Sequence, residues 1–115
     1  MPGLFFGTLI ESATGTSYVG SSVGPDQQGG PKSFQALHSA AASLSSTIKI
    51  EVANTPALPT VAGDWVTLGT ISLVGSSKVT DGFVSLAPWK WYRGNITAAS
   101  GTSTAISIYV GQTPR

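Results

Sequence analysis

DGFVSLAPWKWYRGNITA, residues 81–98, is the stretch on which the fold is decided. Tyr92, Gly94, Ile96 and Ala98 fall on one face of it and Trp91, Arg93, Asn95 and Thr97 on the other, the period of two that a strand with one buried and one polar face requires. Two of the three Trp of the chain lie here, beside Lys90 and Arg93. Parity puts Trp89 and Trp91 on one face and Tyr92 on the other, so both sets cannot be inside. One set is expected at an interface, where Trp, Tyr and Arg are enriched. The Arg93 guanidinium suits stacking on a ring or forking onto a carboxylate, within the subunit or across a contact.

Outward from this stretch the same period recurs. In STIKIEVAN, Ile48, Ile50 and Val52 alternate with Thr47, Lys49 and Glu51, a half-buried strand. A proline-rich loop, TPALPTVAG, leads to DWVTLGTISLVG, where Trp65, Leu68, Ile71 and Leu73 break strict alternation near Gly69; a bulge at that glycine restores it. Trp65 is expected in the core, where a large aromatic contributes most. SSKVTDGF carries a turn signal at Asp81-Gly82, and Ser100-Gly101-Thr102 a second one before STAISIYVG, in which Ile106, Ile108 and Val110 oppose Ser107 and Tyr109. These last two segments read as a hairpin. Ala-rich QALHSAAASL, residues 35–44, is read as strand. Short strands about 8 to 12 residues apart, divided by Gly, Pro and Asn turns and free of helical periodicity, predict an all-β fold, an antiparallel β-sandwich.

Residues 1–31 differ. After Leu4, Phe5, Phe6, Leu9 and Ile10 comes ESATGTSYVGSSVGPDQQGGP, whose Gly and Ser disfavour helix and regular strand. Two readings stand: an unanchored terminus, or an extended arm whose Leu4, Phe5, Phe6 and Tyr18 anchor on a neighbouring subunit. The division expected is an N-terminal arm over 1–31 and a sandwich domain over 32–115.

Composition narrows the function. Hydrophobic residues make up 41% of the 115, but charged residues only 10%, against roughly 25% in ordinary soluble domains. Ser, Thr and Gly must therefore cover much of the surface, as suits a protein meant to be docked. Lys32, Lys49, Lys78, Lys90, Arg93 and Arg115 are scattered and the net charge is +1, so no basic stripe for nucleic acid exists. No apolar run approaches the about 20 residues of a membrane helix, and the start has no cationic region of a secretory leader. Synthesis in the producer's cytoplasm is expected.

Catalytic chemistry has few candidates. His38 has no carboxylate near it in sequence, so a structural role is expected. Glu11, Asp26, Glu51, Asp64 and Asp81 are well separated, with Asp64 and Asp81 read as turn formers. No Asp-x-Asp or Asp-x-Asn run offers Ca²⁺ ligands, and no cysteine offers a thiolate or a disulfide. The Asn95-Ile96-Thr97 sequon lies in a strand and is read as chance. No catalytic residue, metal or cofactor is expected.

The order SFQA, IKIEV, DWVTLGTISL, DGF and APWKWYRGNITA, followed by a final alternating strand, resembles small β-rich structural proteins of tailed bacteriophages over about residues 32 to 111. The motifs that carry it are Asp81 to Phe83 and Ala87 to Ala98; the long link between Asn54 and Asp64 departs from the family's tight turn. The resemblance implies a jelly-roll-like virion protein, a capsid decoration or cement protein bound outside an HK97-type shell and bridging capsomers. Its partners would be the major capsid protein and copies of itself, as dimer or trimer, with no nucleic acid and no membrane. The interface residues expected are Leu4, Phe5, Phe6, Tyr18, Trp89, Trp91 and Arg93. Other readings are a carbohydrate-binding or adhesion module of a fibre, with Trp89 or Trp91 as its platform, and a tail or head-completion protein.

Overall fold

The computed structural model describes residues 4–13, 18–26, 30–39, 44–75, 79–86, 89–100 and 105–112. Among these, eight strands form: β1 (Leu4–Ala13), β2 (Tyr18–Val19), β3 (Lys32–Ser39), β4 (Leu44–Ala53), β5 (Val66–Gly75), β6 (Val79–Ser85), β7 (Trp91–Ser100) and β8 (Ala105–Gln112). One 3-10 turn, Ala62–Asp64, precedes β5. The strands make two four-stranded sheets, ordered β1-β8-β3-β6 and β2-β7-β4-β5. Every pairing is antiparallel.

The connectivity is nested: β1 pairs with β8, β2 with β7, β3 with β6 and β4 with β5. A chain folded back on itself as one long hairpin and then rolled over gives this order, which is the jelly-roll form of the antiparallel sandwich. The slab measures 40 × 37 × 18 Å between outermost Cα positions.

Alternation builds its interior. Ile48, Ile50 and Val52 of β4 meet Ile106, Ile108 and Val110 of β8, Ile71 and Leu73 of β5, and Leu9 and Ile10 of β1. All are essentially withdrawn from solvent. Burying each such aliphatic side chain stabilises by about 1.5–3 kcal/mol, so this shared layer dominates the fold's energetics. Phe34 of β3 stacks on Phe83 at 5.0 Å and tilts against Tyr92 at 5.8 Å, tying β3, β6 and β7 together.

Several expectations need correction. The described part of 1–31 does not stand apart as an arm: β1 lies beside β8, and its Leu9 and Ile10 are core residues. Residues 20–26 follow β7 closely, with Gly20 N–H donating to Gly94 O at 2.9 Å, Val23 and Tyr92 exchanging bonds at 2.7 and 2.9 Å, and Asp26 N–H donating to Lys90 O at 2.8 Å. Small residues here serve close docking of backbone on backbone. Nor do β7 and β8 form a hairpin, since they belong to opposite sheets; the Ser100-Gly101-Thr102 turn falls largely outside the described residues.

Asp81-Gly82 is no turn either, but the middle of β6, where Asp81 faces Ala36 and Gly82 faces Gln35. Glycine is needed there because a Cβ would lie 2.1 Å from the Phe34 carbonyl oxygen. Near Gly69 the expected bulge is present, one residue earlier: Ile50 pairs with Gly69 and Glu51 with Thr67, leaving Leu68 as the extra residue. Gly69 has its own task, as a Cβ would sit 2.6 Å from the Phe83 ring. Gly69→Ala is accordingly expected to lower the unfolding free energy by about 1 kcal/mol, the ring giving way in part. A urea titration of the variant beside the parent measures it.

Candidate functional site

The outer face of the β2-β7-β4-β5 sheet gathers the aromatic and charged groups. Tyr92, Gly94 and Ile96 point inward, so Trp91, Arg93 and Asn95 point out, beside Lys49 and Glu51 of β4. Glu51 and Arg93 are opposite one another in register. Arg93 Nε donates to Glu51 Oε1 at 2.7 Å and Asn95 Nδ2 donates to Glu51 Oε2 at 3.3 Å. The guanidinium carbon also lies 4.5 Å from the centroid of the Trp65 ring. Arg93 thus takes both roles open to it, and within the subunit.

This arrangement moves Trp65. It is buried, as expected, but beneath Arg93 on the outer face and not among the residues between the sheets. Arg93→Ala removes a cation over a ring and an ion pair whose side chains are 16 and 13% exposed. The expected loss is about 1–2 kcal/mol in the unfolding free energy, read by urea denaturation, with Arg93→Lys losing part of it because an ammonium cannot stack as a plane.

Beside this cluster, the 54–65 loop is tied to the start of β7. Trp91 Nε1 donates to Thr55 O at 3.0 Å, Lys90 N–H to Asn54 Oδ1 at 2.9 Å and Lys90 Nζ to Pro56 O at 2.5 Å. The Lys90 ammonium also lies 5.5 Å from the Trp91 ring centroid.

Trp89 does not share a face with Trp91, because it precedes β7 and escapes the strand's parity. It packs against the core, and its backbone N–H donates to the Tyr92 hydroxyl at 2.9 Å. A flat platform of several rings is therefore absent from this face among the described residues: Trp65 is covered, Trp89 is turned inward and Trp91 is half-buried. Ala98 is likewise not inward. Ile48 pairs with Ile96 and Thr47 with Ala98, so Thr97 is an extra residue and the parity flips there.

A second polar feature was not anticipated. The Lys32 ammonium lies 2.7 Å from Asp26 Oδ2, with both side chains at 0 and 1% exposure, and Lys32 Nζ also donates to Gly30 O at 3.2 Å. Lys32 shares the inward parity of Phe34, Ala36 and His38, which is the signal that would have revealed it. Nearby Tyr92, wholly buried, has its phenol pushed above the usual value by loss of solvent; the bond from Trp89 N–H opposes this and the Asp26 charge adds to it. The pair clamps the 20–26 segment, which rides on β7, to β3 of the other sheet.

His38 lies at the end of the sandwich where β3 leads to β4, fully buried, with neither ring nitrogen partnered among the described residues. Ser46, inward on β4 at the same end, has its Oγ likewise unpartnered. The described residues contain no group of three or more His, Asp or Glu placed to hold a metal ion. Asp26 and Glu51 each face a cation.

Of the interface residues expected from the sequence, Trp91 and Arg93 are adjacent on one outer face and Trp89 is separated from them. The backbones of Leu4 and Phe5 lie opposite Gln112 and Gly111, and Tyr18 lies opposite Ile96. The side chains of Leu4, Phe5, Phe6 and Tyr18 are outside the described residues.

No protein-family model matches the chain, and neither the curated proteins nor the solved structures include a match to it.

Proposed function

We propose that this chain is a non-enzymatic structural protein of a tailed-phage virion, a decoration or cement protein that sits on the capsid and bridges neighbouring capsomers. The observation that carries this reading is the scarcity of free charge on a folded sandwich. Among the described residues, the charged side chains of Asp26, Lys32, Glu51 and Arg93 are engaged with one another in two ion pairs, while Leu86, Val74 and Val84 are 78, 70 and 64% exposed. A surface of Ser, Thr and aliphatic groups gives up less hydration when covered than a charged one does, which favours docking on a large partner even where long-range steering by charge is weak. On a symmetric shell each contact can be modest, because it is repeated and adjacent contacts reinforce one another. Since β1 is already paired with β8, the body of the sandwich supplies the contacting surface in place of a free arm.

Quantitative mass spectrometry of purified particles tests the reading. A fixed small-integer ratio of this chain to the major capsid protein is expected. A few copies per particle would favour a fibre or tail role, and absence from particles would refute a virion role altogether.

A further inference from the structure

The two sheets expose four edges, and three of them carry devices that discourage pairing. β2 is two residues long. β1 has register irregularities between Phe5 and Gly7, Thr8 and Ile10, and Ile10 and Ala13, and its sequence includes Glu11. β6 carries Asp81 at mid-strand. Short length, bulges and charge are the usual means of blunting an edge. β5 is the exception: ten residues, VTLGTISLVG, without a charge or a proline. Its one bulge, at Leu68, comes early, and from Gly69 to Gly75 the ladder to β4 runs unbroken. β4 is its hydrogen-bonded neighbour, and no second one occurs among the described strands.

The regular part of β5 reads nearly the same in both directions. About Ser72, Gly69 mirrors Gly75, Thr70 mirrors Val74 and Ile71 mirrors Leu73. Thr and Val are nearly the same shape and both β-branched, and Ile and Leu are both buried aliphatics, at 2 and 0% exposure. In an antiparallel pair directly opposed residues share a face, so the mirror also matches faces: Thr70, Ser72 and Val74 are exposed, Ile71 and Leu73 buried. At a two-fold axis every group meets its own copy or its mirror, and a charge there would meet like charge. None is present.

We infer that β5 pairs antiparallel with β5 of a second copy of this chain, about a two-fold axis at Ser72, joining two sheets into one of eight strands, β2-β7-β4-β5-β5-β4-β7-β2. Ile71 and Leu73 of the two copies then continue one apolar layer, and Val74, 70% exposed in the single chain, packs beside Thr70 of the other copy. The inference identifies the self-association surface and stands whether or not the virion reading does.

Sedimentation equilibrium of the purified full chain is the first measurement, and a dimer is expected. Ser72→Lys, at an exposed outward position, is expected to give a monomer with an unchanged far-UV circular dichroism spectrum. The chain contains no cysteine, so Ser72→Cys adds the sole thiol; across the axis its Cα atoms would be about 4.5–5.5 Å apart, within disulfide reach. Mild oxidation should yield a covalent dimer from Ser72→Cys and none from Gln35→Cys, an exposed site on the other sheet. A monomeric or trimeric parent, a dimer that survives Ser72→Lys, or equal cross-linking of both cysteine variants would each overturn the inference.

Discussion

Asp26→Ala is expected to remove about 3–5 kcal/mol of stability, because it leaves the Lys32 ammonium buried without its counter-charge. The two groups are 2.7 Å apart and their side chains are 0 and 1% exposed. At that depth water cannot replace the lost carboxylate unless the 20–26 segment lifts from β7, which would break the bonds that Val23 and Asp26 make to Tyr92 and Lys90. For a domain whose whole stability is on the order of 5–15 kcal/mol, that is a large fraction. Replacing both partners by apolar residues, as in Asp26→Leu with Lys32→Met, should recover most of the loss, since no uncompensated charge then remains. Guanidinium or urea unfolding of the single and double variants decides it. A single variant within 1 kcal/mol of the parent would mean that solvent reaches the pair.

How much of this was legible in the sequence depends on whether the physical signal is local. Strand alternation is local: Ile48, Ile50 and Val52, and Ile106, Ile108 and Val110, needed only their own neighbours in the chain, and each is buried. Sheet membership is not local. Nothing in β7 or β8 records that they belong to different sheets, so adjacency in sequence suggested a hairpin. Glycine misled for a related reason. Asp81-Gly82 has the composition of a turn, but Gly82 answers to the Phe34 carbonyl on a neighbouring strand, a contact with no trace in the local sequence. The same holds for residues 20–26, whose small residues permit docking against β7 and looked instead like freedom. On the outer face, the capacities of Arg93 were readable from its chemistry, whereas its partners Glu51 and Trp65, 42 and 28 positions away in the chain, were supplied by the register of β4 and by the loop leading to β5. The inward position of Lys32 was not read from the sequence, although its parity with Phe34 and Ala36 implies it.

His38 should make the domain lose stability as the medium turns mildly acidic. Burial holds its imidazole pKa below the ordinary 6.5, and on the inward face of β3 it has no hydrogen-bond partner among the described residues. It lies opposite Ile106 of β8 and Val79 of β6, with Ser46 of β4 and Leu73 of β5 inward and opposite one another. The acid of β6, Asp81, lies diagonally across, opposite Ala36, and is exposed, so loss of solvent and not a carboxylate sets the direction of the shift. Well above pH 6.5 folded and unfolded chains both hold His38 neutral and its contribution is complete. As the pH falls below 6.5 the unfolded chain binds a proton that the folded one resists, and stability declines by up to about 1.4 kcal/mol per pH unit until the folded pKa is reached. His38 is the single histidine of the chain and there is no cysteine, so no other side chain of ordinary pKa titrates between pH 5 and 7. Urea midpoints at pH 7.5 and 5.5 should therefore differ in the parent and coincide in His38→Leu, which fills the same apolar space and cannot be protonated. An equal acid shift in both proteins would assign the sensitivity to the carboxylates and leave His38 a silent occupant of the core.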